Sequence, residues 1–173
     1  MYKGITLLEI LLTLFIFSLL WLNVPTLWHS LTDYLVLHKE QQRLKLFLQQ
    51  VQYYTSSNNE IWLLLANRQL SQQHWCLTAQ PRDQPLCDCL LPQYCPQSVN
   101  AYFYYPYFPQ RSMLISQQYY PIEITRINGI RHTFATACFA LQVGERQILF
   151  SLFNVGSIRL KENDRLSACV KGE

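Results

Sequence analysis

An apolar run at the start of the chain constrains the fold more than any other feature. Residues 5–28 read ITLLEILLTLFIFSLLWLNVPTLW, and Glu9 is the only residue of this run with a formal charge. A helix of this length spans about 36 Å, and the hydrocarbon core of a bilayer is about 30 Å thick. A secretory signal has a shorter apolar stretch, of about 7–15 residues, followed by a small-residue cleavage site. The run therefore predicts a membrane-spanning segment.

The composition of the whole chain excludes two broad classes of protein. Half of the 173 residues are hydrophobic and only 14% are charged, whereas a soluble domain averages about 25% charged residues. Intrinsic disorder requires the opposite balance. The net charge of +3 is too small to indicate a nucleic-acid-binding protein by itself. The six cysteines indicate an oxidising compartment or a metal site.

A short motif precedes and overlaps the apolar run. The segment GITLLEI at residues 4–10 resembles the class III signal of type IV prepilins and type II secretion pseudopilins. The resemblance implies that prepilin peptidase cleaves between Gly4 and Ile5 on the cytoplasmic side and methylates the new N-terminal Ile5. Helices of this family carry a proline close to the position of Pro25, and they usually begin with Phe where this chain has Ile5.

Glu9 has two interpretations. In a simple anchor it lies in the headgroup region, whereas the resemblance implies that it neutralises the N-terminus of a neighbouring filament subunit. An α-amino group is positively charged near neutral pH, and an unpaired buried charge costs several kcal/mol. The resemblance also implies a single-pass protein of the inner membrane with a periplasmic C-terminal domain, later incorporated into a pilus or pseudopilus. Lys3 in the leader agrees with a cytoplasmic N-terminus.

Residues 29–55 continue the chain with a helical pattern. Apolar side chains recur three and four residues apart at Leu31, Tyr34, Leu35, Leu37, Leu44, Phe47, Leu48, Val51 and Tyr54. This spacing predicts an amphipathic helix that continues past Pro25 and ends at the SSNN loop of residues 56–59. A coiled-coil stalk is the alternative, but no heptad series is long enough. We therefore predict a leader at 1–4 and a long N-terminal helical spine, with a membrane half at 5–28 and an amphipathic half at 29–55.

The remaining residues, 56–173, are rich in β-forming side chains and contain few glycines. Alternation predicts a strand at 74–79, and the clearest hairpin joins 133–143 to 146–153 through a turn at 144–145. An antiparallel sheet packed on the second half of the helix would bury one face of each. The predicted fold class is therefore α+β, with the helical spine packed on a small antiparallel β-sheet domain.

All six cysteines lie in this predicted domain, at Cys76, Cys87, Cys89, Cys95, Cys138 and Cys169. Disulfides are expected in an exported domain, and six cysteines allow fifteen pairings. One arrangement pairs Cys138 with Cys169 and leaves the other four to share two bonds across the Pro-rich loop at 81–96. A zinc site would need C-x-x-C spacing or nearby histidines. We therefore predict disulfides and neither a metal nor a cofactor.

An aromatic segment within the domain allows a second function. Residues 102–109 read YFYYPYFP, in which six of eight residues are aromatic, and Arg111 follows. Exposed aromatic rings beside arginine stack on unpaired bases, at about 1–3 kcal/mol per base, which makes Tyr104, Tyr107 and Arg111 candidates for binding DNA or another ligand. Alternating aromatics in a strand more often fill a core or a subunit interface. No phosphate loop, H-E-x-x-H or G-x-S-x-G motif occurs, so we predict that the chain is not an enzyme.

These features together lead to one expected function and two alternatives. The expected function is that of a minor pilin or pseudopilin, a structural subunit of a type IV-like pilus that serves competence or secretion. Its partners would be prepilin peptidase, other pilins through the N-terminal helix, and the inner membrane. The first alternative is a pilus-borne receptor module that binds DNA or a surface. The second is an ordinary membrane-anchored periplasmic protein.

Overall fold

The structure is a computed structural model that describes residues 6–163, apart from the side chains at 22–27, 29 and 163. One α-helix and nine strands follow one another in the described chain, with short 3₁₀ helices at Leu70–Gln72 and Pro92–Tyr94. They are α1 (Leu7–Asn58), β1 (Ile61–Gln69), β2 (His74–Pro81), β3 (Tyr102–Tyr104), β4 (Ser112–Ile115), β5 (Glu123–Asn128), β6 (Thr133–Phe134), β7 (Ala137–Val143), β8 (Arg146–Leu152) and β9 (Ile158–Asn163).

Both ends of α1 have local caps. Thr6 is extended, and its side-chain oxygen accepts a hydrogen bond from the Glu9 backbone N–H at 3.3 Å. Glu9 lies in the first turn, where a negative charge interacts favourably with the helix dipole. At the other end Asn59 adopts a left-handed conformation with φ of 56°, and its N–H donates to the Thr55 carbonyl. Residues of this conformation commonly end helices. The helix therefore ends at Asn58, three residues beyond the predicted end, and only the last residue of the SSNN segment lies outside it.

The strands form two antiparallel sheets. Sheet A has five strands in the order β3-β2-β1-β5-β6, and sheet B has four strands in the order β4-β7-β8-β9. Hairpin β7–β8 turns at Gly144, whose φ of +57° favours glycine. The chain leaves sheet A after β3 and enters sheet B at β4, so residues 105–111 connect the two sheets.

The core lies between α1 and the two sheets. The helix contributes five apolar side chains, which are Val36, Leu37, Leu44, Leu48 and Val51. Trp62 and Trp75 of sheet A and Phe139 and Phe150 of sheet B complete its centre, and all four are at most 2% exposed. The Phe139 and Phe150 rings stack with centroids 5.1 Å apart. Helix and sheets therefore bury a common set of aromatic and aliphatic groups.

The fold class predicted from the sequence is wrong. The described chain is a sheet-rich protein with two antiparallel sheets, and the predicted spine, with a membrane half and an amphipathic half on one small sheet, is not its architecture. The physical reason is that Val36 and the buried residues after it enter the same core as both sheets. This part of α1 is an integral layer of the domain, because removing it would expose the inner face of both sheets.

The predicted membrane placement also requires correction. Within the part of the chain whose side chains are described, no helix is long and apolar enough to cross a membrane. The predicted single-pass segment in the inner membrane, with its periplasmic domain, is therefore not supported.

Candidate assembly helix and the aromatic segment beside it

The first turns of α1 expose apolar side chains on every side. The large hydrophobic residues between Leu7 and Trp21 are 47–76% exposed, because no other part of the described chain covers them. Monomeric proteins rarely leave such a large continuous apolar surface in water. This stretch, residues 7–21, is called the apolar segment below.

Two polar side chains of the apolar segment form hydrogen bonds within the helix. The Thr13 hydroxyl donates to the Ile10 carbonyl at 2.9 Å, and the Ser18 hydroxyl donates to the Phe15 carbonyl at 2.7 Å. The Glu9 carboxylate is exposed, and it is the only charge of the segment. If a partner covers the segment, Glu9 is the group that requires a new, positively charged neighbour. The predicted cleavage residues Gly4 and Ile5 lie outside the described residues.

The disulfides of the loop after β2 agree with the prediction that four cysteines share two bonds. Cys76 pairs with Cys89, and Cys87 pairs with Cys95. Cys138 is also disulfide-bonded, and its predicted partner Cys169 lies outside the described residues.

The loop between β2 and β3, residues 82–101, is called the disulfide loop below, and it covers the outer face of sheet A. Gln80, which is fully buried, accepts a hydrogen bond from the Cys87 N–H and donates to the Pro85 carbonyl. Asp88 accepts from the Asn67 amide at 2.9 Å. Asp88 therefore joins the loop to β1, and the disulfides hold the loop on sheet A.

The aromatic segment closes over α1 through a carboxylate that the sequence analysis did not single out. Glu40 is fully buried. It accepts a hydrogen bond from the Tyr104 hydroxyl at 2.9 Å and another from the Phe108 N–H at 2.7 Å. Glu40 lies four residues after Val36 and four residues before Leu44, which are both buried. This spacing is the sequence signal that places Glu40 on the core face of α1.

Tyr104 is therefore a core residue. It is 6% exposed, and its ring lies 5.3 Å from the Phe47 ring and 5.7 Å from the Trp75 ring. Burial raises the pKa of the Tyr104 hydroxyl well above its usual 10.0, and the adjacent Glu40 carboxylate raises this pKa further. The neutral hydroxyl is the form that donates to Glu40.

The other two candidates for stacking lie on the surface in different environments. Arg111 forms an ion pair with Asp33 of α1 at 2.7 Å. Tyr107 is 60% exposed, and its ring contacts two cations of α1, with Lys39 Nζ 4.4 Å and the Arg43 guanidinium 5.5 Å from the centroid. The structure thus separates the three predicted residues, since Tyr104 is buried, Arg111 is paired with an acid, and Tyr107 lies beside cations.

A polar groove lies on the other flank of α1. It has a volume of about 680 Å³ and lies between the helix and the turn of hairpin β7–β8, and its charged lining residues are Asp33, Glu145, Arg146 and Glu162. The described residues contain no group of three or more His, Cys, Asp or Glu side chains that could hold a metal ion.

Comparison with known proteins places the chain in a family. A protein from Haemophilus influenzae, described as an uncharacterized protein, is 50% identical over 169 residues, which cover 98% of this chain and 99% of that protein. The chain belongs to the same family as this Haemophilus influenzae protein. No family model matches the chain. No solved structure matches it.

The buried hydrogen bond between Tyr104 and Glu40 predicts the effect of a single-atom change. Tyr104→Phe should lower the free energy of unfolding by about 1–3 kcal/mol, because the Glu40 carboxylate would keep its burial and lose a donor. The measurement is urea unfolding followed by tryptophan fluorescence. The matched control is Tyr107→Phe, at an exposed ring, which should change stability by less than about 0.5 kcal/mol. Equal effects of the two variants would contradict the role of the buried hydrogen bond.

The raised pKa of Tyr104 predicts how stability changes in alkaline solution. The pKa of Tyr104 is higher in the folded chain than the 10.0 of an unperturbed tyrosine. The contribution of this hydroxyl to the free energy of unfolding is therefore complete below about pH 10 and falls as the pH rises beyond that value. Urea unfolding between pH 9 and 11 should show a shallower loss of stability for Tyr104→Phe than for the wild type. Burial also raises the pKa of Tyr105 and Tyr119, so part of the slope should remain. Parallel curves would contradict this assignment.

Proposed function

We propose that this chain is a structural subunit of a type IV-like filament, a minor pilin or pseudopilin that packs against other subunits through the apolar segment of α1. The observation that carries the proposal is the exposure of this whole segment, which contains one charged residue, Glu9. Covering exposed apolar surface is the main favourable term in most protein association. A filament core built from such helices would supply that cover on every side of the segment.

Cleavage of the leader would give Glu9 a specific role in assembly. Cleavage after Gly4 would create a positively charged α-amino group at Ile5. In a filament this group and the carboxylates of Glu9 would lie in the same apolar core, where opposite charges must pair. Because Thr13 and Ser18 bond to backbone carbonyls of their own helix, Glu9 alone would set the register between neighbouring subunits.

The two disulfides suit a domain that folds in an oxidising environment. Disulfides form and persist in oxidising environments, and the pairs Cys76–Cys89 and Cys87–Cys95 hold a loop that has little regular structure. Cross-links of this kind contribute about 2–4 kcal/mol each. They would stabilise the domain after assembly.

The alternative function, a pilus-borne receptor for DNA or a surface, has narrower support. Of the three residues predicted to stack or contact DNA, Tyr104 is buried and Arg111 is paired with Asp33. Tyr107, with Lys39 and Arg43 beside its ring, is the one exposed aromatic group with neighbouring cations that remains from the predicted site. We therefore place assembly ahead of ligand binding.

The proposal predicts processing of the N-terminus. When the full chain is expressed with prepilin peptidase, mass spectrometry of the N-terminal peptide should show Ile5 as the first residue, carrying a methyl group. Without the peptidase the peptide should retain Met1. Gly4→Val should prevent cleavage, because a branched side chain replaces the glycine at the cleaved bond, whereas Ser56→Ala in the distant helix end should be cleaved normally. An N-terminus that is the same with and without the peptidase would refute the proposal.

A second prediction separates cleavage from assembly. Glu9→Gln should be cleaved normally but should enter filaments more than about tenfold less than the wild type, because the α-amino group of a neighbour would lack its counter-charge. Sheared filaments, quantified by immunoblot against total cell protein, give this ratio. Thr13→Val is the matched control in the same segment and should assemble normally. Normal incorporation of Glu9→Gln would contradict the assigned role of Glu9.

A further inference from the structure

The outward side of α1 carries a row of apolar side chains that the fold leaves uncovered. Trp28, Leu35, Leu46 and Tyr53 are 57–77% exposed. They are separated by seven, eleven and seven residues, each close to a whole number of turns at about 3.6 residues per turn. The four side chains therefore lie along one line, which is called the outer row below, and Leu31, which is 54% exposed, lies beside it.

The outer row faces away from the core of the domain. Leu46 is exposed, while Leu44 and Leu48, two residues before and after it, are completely buried. A step of two residues turns about 200° around a helix axis. The outer row is thus on the opposite side of α1 from the side chains that pack against the sheets.

The outer row also continues the apolar segment. Trp28 follows Trp21 by seven residues, and Trp21 is itself exposed. From Trp28 to Tyr53 the row extends about 38 Å along the axis. A helix that packs on the apolar segment can therefore continue along the same side of α1, past Trp28 and Leu35.

The unpaired charges that α1 itself places beside the middle of the outer row are all positive. Lys39, Arg43 and Lys45 lie along its middle, and none of them forms an ion pair with a described acidic residue. The two acids of α1 in this region are engaged elsewhere, since Asp33 binds Arg111 and the buried Glu40 binds Tyr104.

Among the described residues, no acidic side chain of another element forms an ion pair with Lys39, Arg43 or Lys45. On one flank the Tyr107 ring lies against Lys39 and Arg43 and brings no charge. On the other flank Glu145 and Glu162 line the polar groove together with Arg146.

We propose that the outer row docks an amphipathic helix of a different subunit, one whose apolar side chains are flanked by acidic residues. A second copy of this chain fits poorly for an electrostatic reason. Because Lys39 and Arg43 lie midway between Trp28 and Tyr53, both parallel and antiparallel pairing of two copies would bring these cations together. Like charges at an interface disfavour the wrong partner, and complementary charges select the right one. The inference rests on the proposed function and adds the chemistry of the neighbouring subunit.

The test places a photoreactive phenylalanine analogue in the outer row of the full chain. Gln42 is exposed and lies between Leu35 and Leu46, so its replacement keeps the apolar row intact. The labelled chain is expressed in the cells that naturally contain it, irradiated, and analysed by mass spectrometry of the cross-linked peptide. Gln97, exposed in the disulfide loop, is the control position. Charge reversal by Lys39→Glu with Arg43→Glu tests the electrostatic part, and Lys161→Glu on β9 is its matched control.

The expected result is an adduct from position 42, absent from position 97, to an apolar helical peptide of another chain that contains Asp or Glu beside its apolar residues. The double charge reversal should lower its yield at least about tenfold, since facing like charges cost several kcal/mol, and Lys161→Glu should leave it unchanged. An adduct with a second copy of this chain would overturn the inference. So would a nuclease-sensitive adduct, an adduct that charge reversal does not weaken, or no adduct above the control position.

The same samples distinguish this inference from the proposed function. The N-terminal residue of the cross-linked chain is read from the same digest. A chain that begins at Ile5 and cross-links to its own copy refutes the heterotypic partner and leaves the filament role standing. A chain that keeps its leader in the presence of prepilin peptidase refutes the filament role, whichever partner is found at position 42.

Discussion

The carboxylate of Glu40 makes the contact on which the arrangement of the domain depends. A buried carboxylate requires hydrogen-bond donors, and each oxygen of Glu40 has one, from the Tyr104 hydroxyl and the Phe108 N–H. These two donors lie at the end of β3 and in the connection that carries the chain from sheet A to sheet B. The same crossing is held by Trp75 of β2, whose indole N–H donates to the Ser112 carbonyl of β4 at 3.0 Å. Helix, first sheet and second sheet therefore meet at one polar site inside an apolar core.

This arrangement divides α1 into two sides with different roles. The inward side, with Leu44 and Leu48, is committed to the domain and determines its stability. The outward side and the apolar segment contribute nothing to the core of the described chain, yet they carry most of its exposed large hydrophobic side chains. Such a distribution is costly in water and is explained if other subunits cover it. The proposed filament role and the proposed acidic partner helix both follow from this division.

Particular elements show how far the sequence could predict the structure. Local patterns identified strand β2 and the turn and second arm of hairpin β7–β8, because alternation and a turn glycine act over a few residues. The predicted first arm, 133–143, was too long, because its first two residues form β6 and pair with β5 in sheet A. They also identified the four cysteines that share two bonds. The predicted amphipathic stripe grouped Leu31 and Leu35 with Leu44 and Leu48, but the first two are exposed and the last two buried. Leu35 lies nine residues before Leu44, which is about two and a half turns, so the two side chains are on opposite sides of α1. Counting steps of three and four residues joined two different sides of the helix into one predicted stripe.

The sequence by itself determined the apolar character of residues 5–28, the lone Glu9 within them, and the resemblance of residues 4–10 to a prepilin signal, because these are properties of neighbouring residues. It did not determine that two sheets surround part of α1, that Tyr104 is buried, or that Cys76 pairs with Cys89. Those outcomes depend on contacts between residues far apart in the chain, such as Glu40 with Tyr104. Only the folded structure brings such groups together, and only their packing decides which apolar side chains form the core and which remain on the surface for a partner.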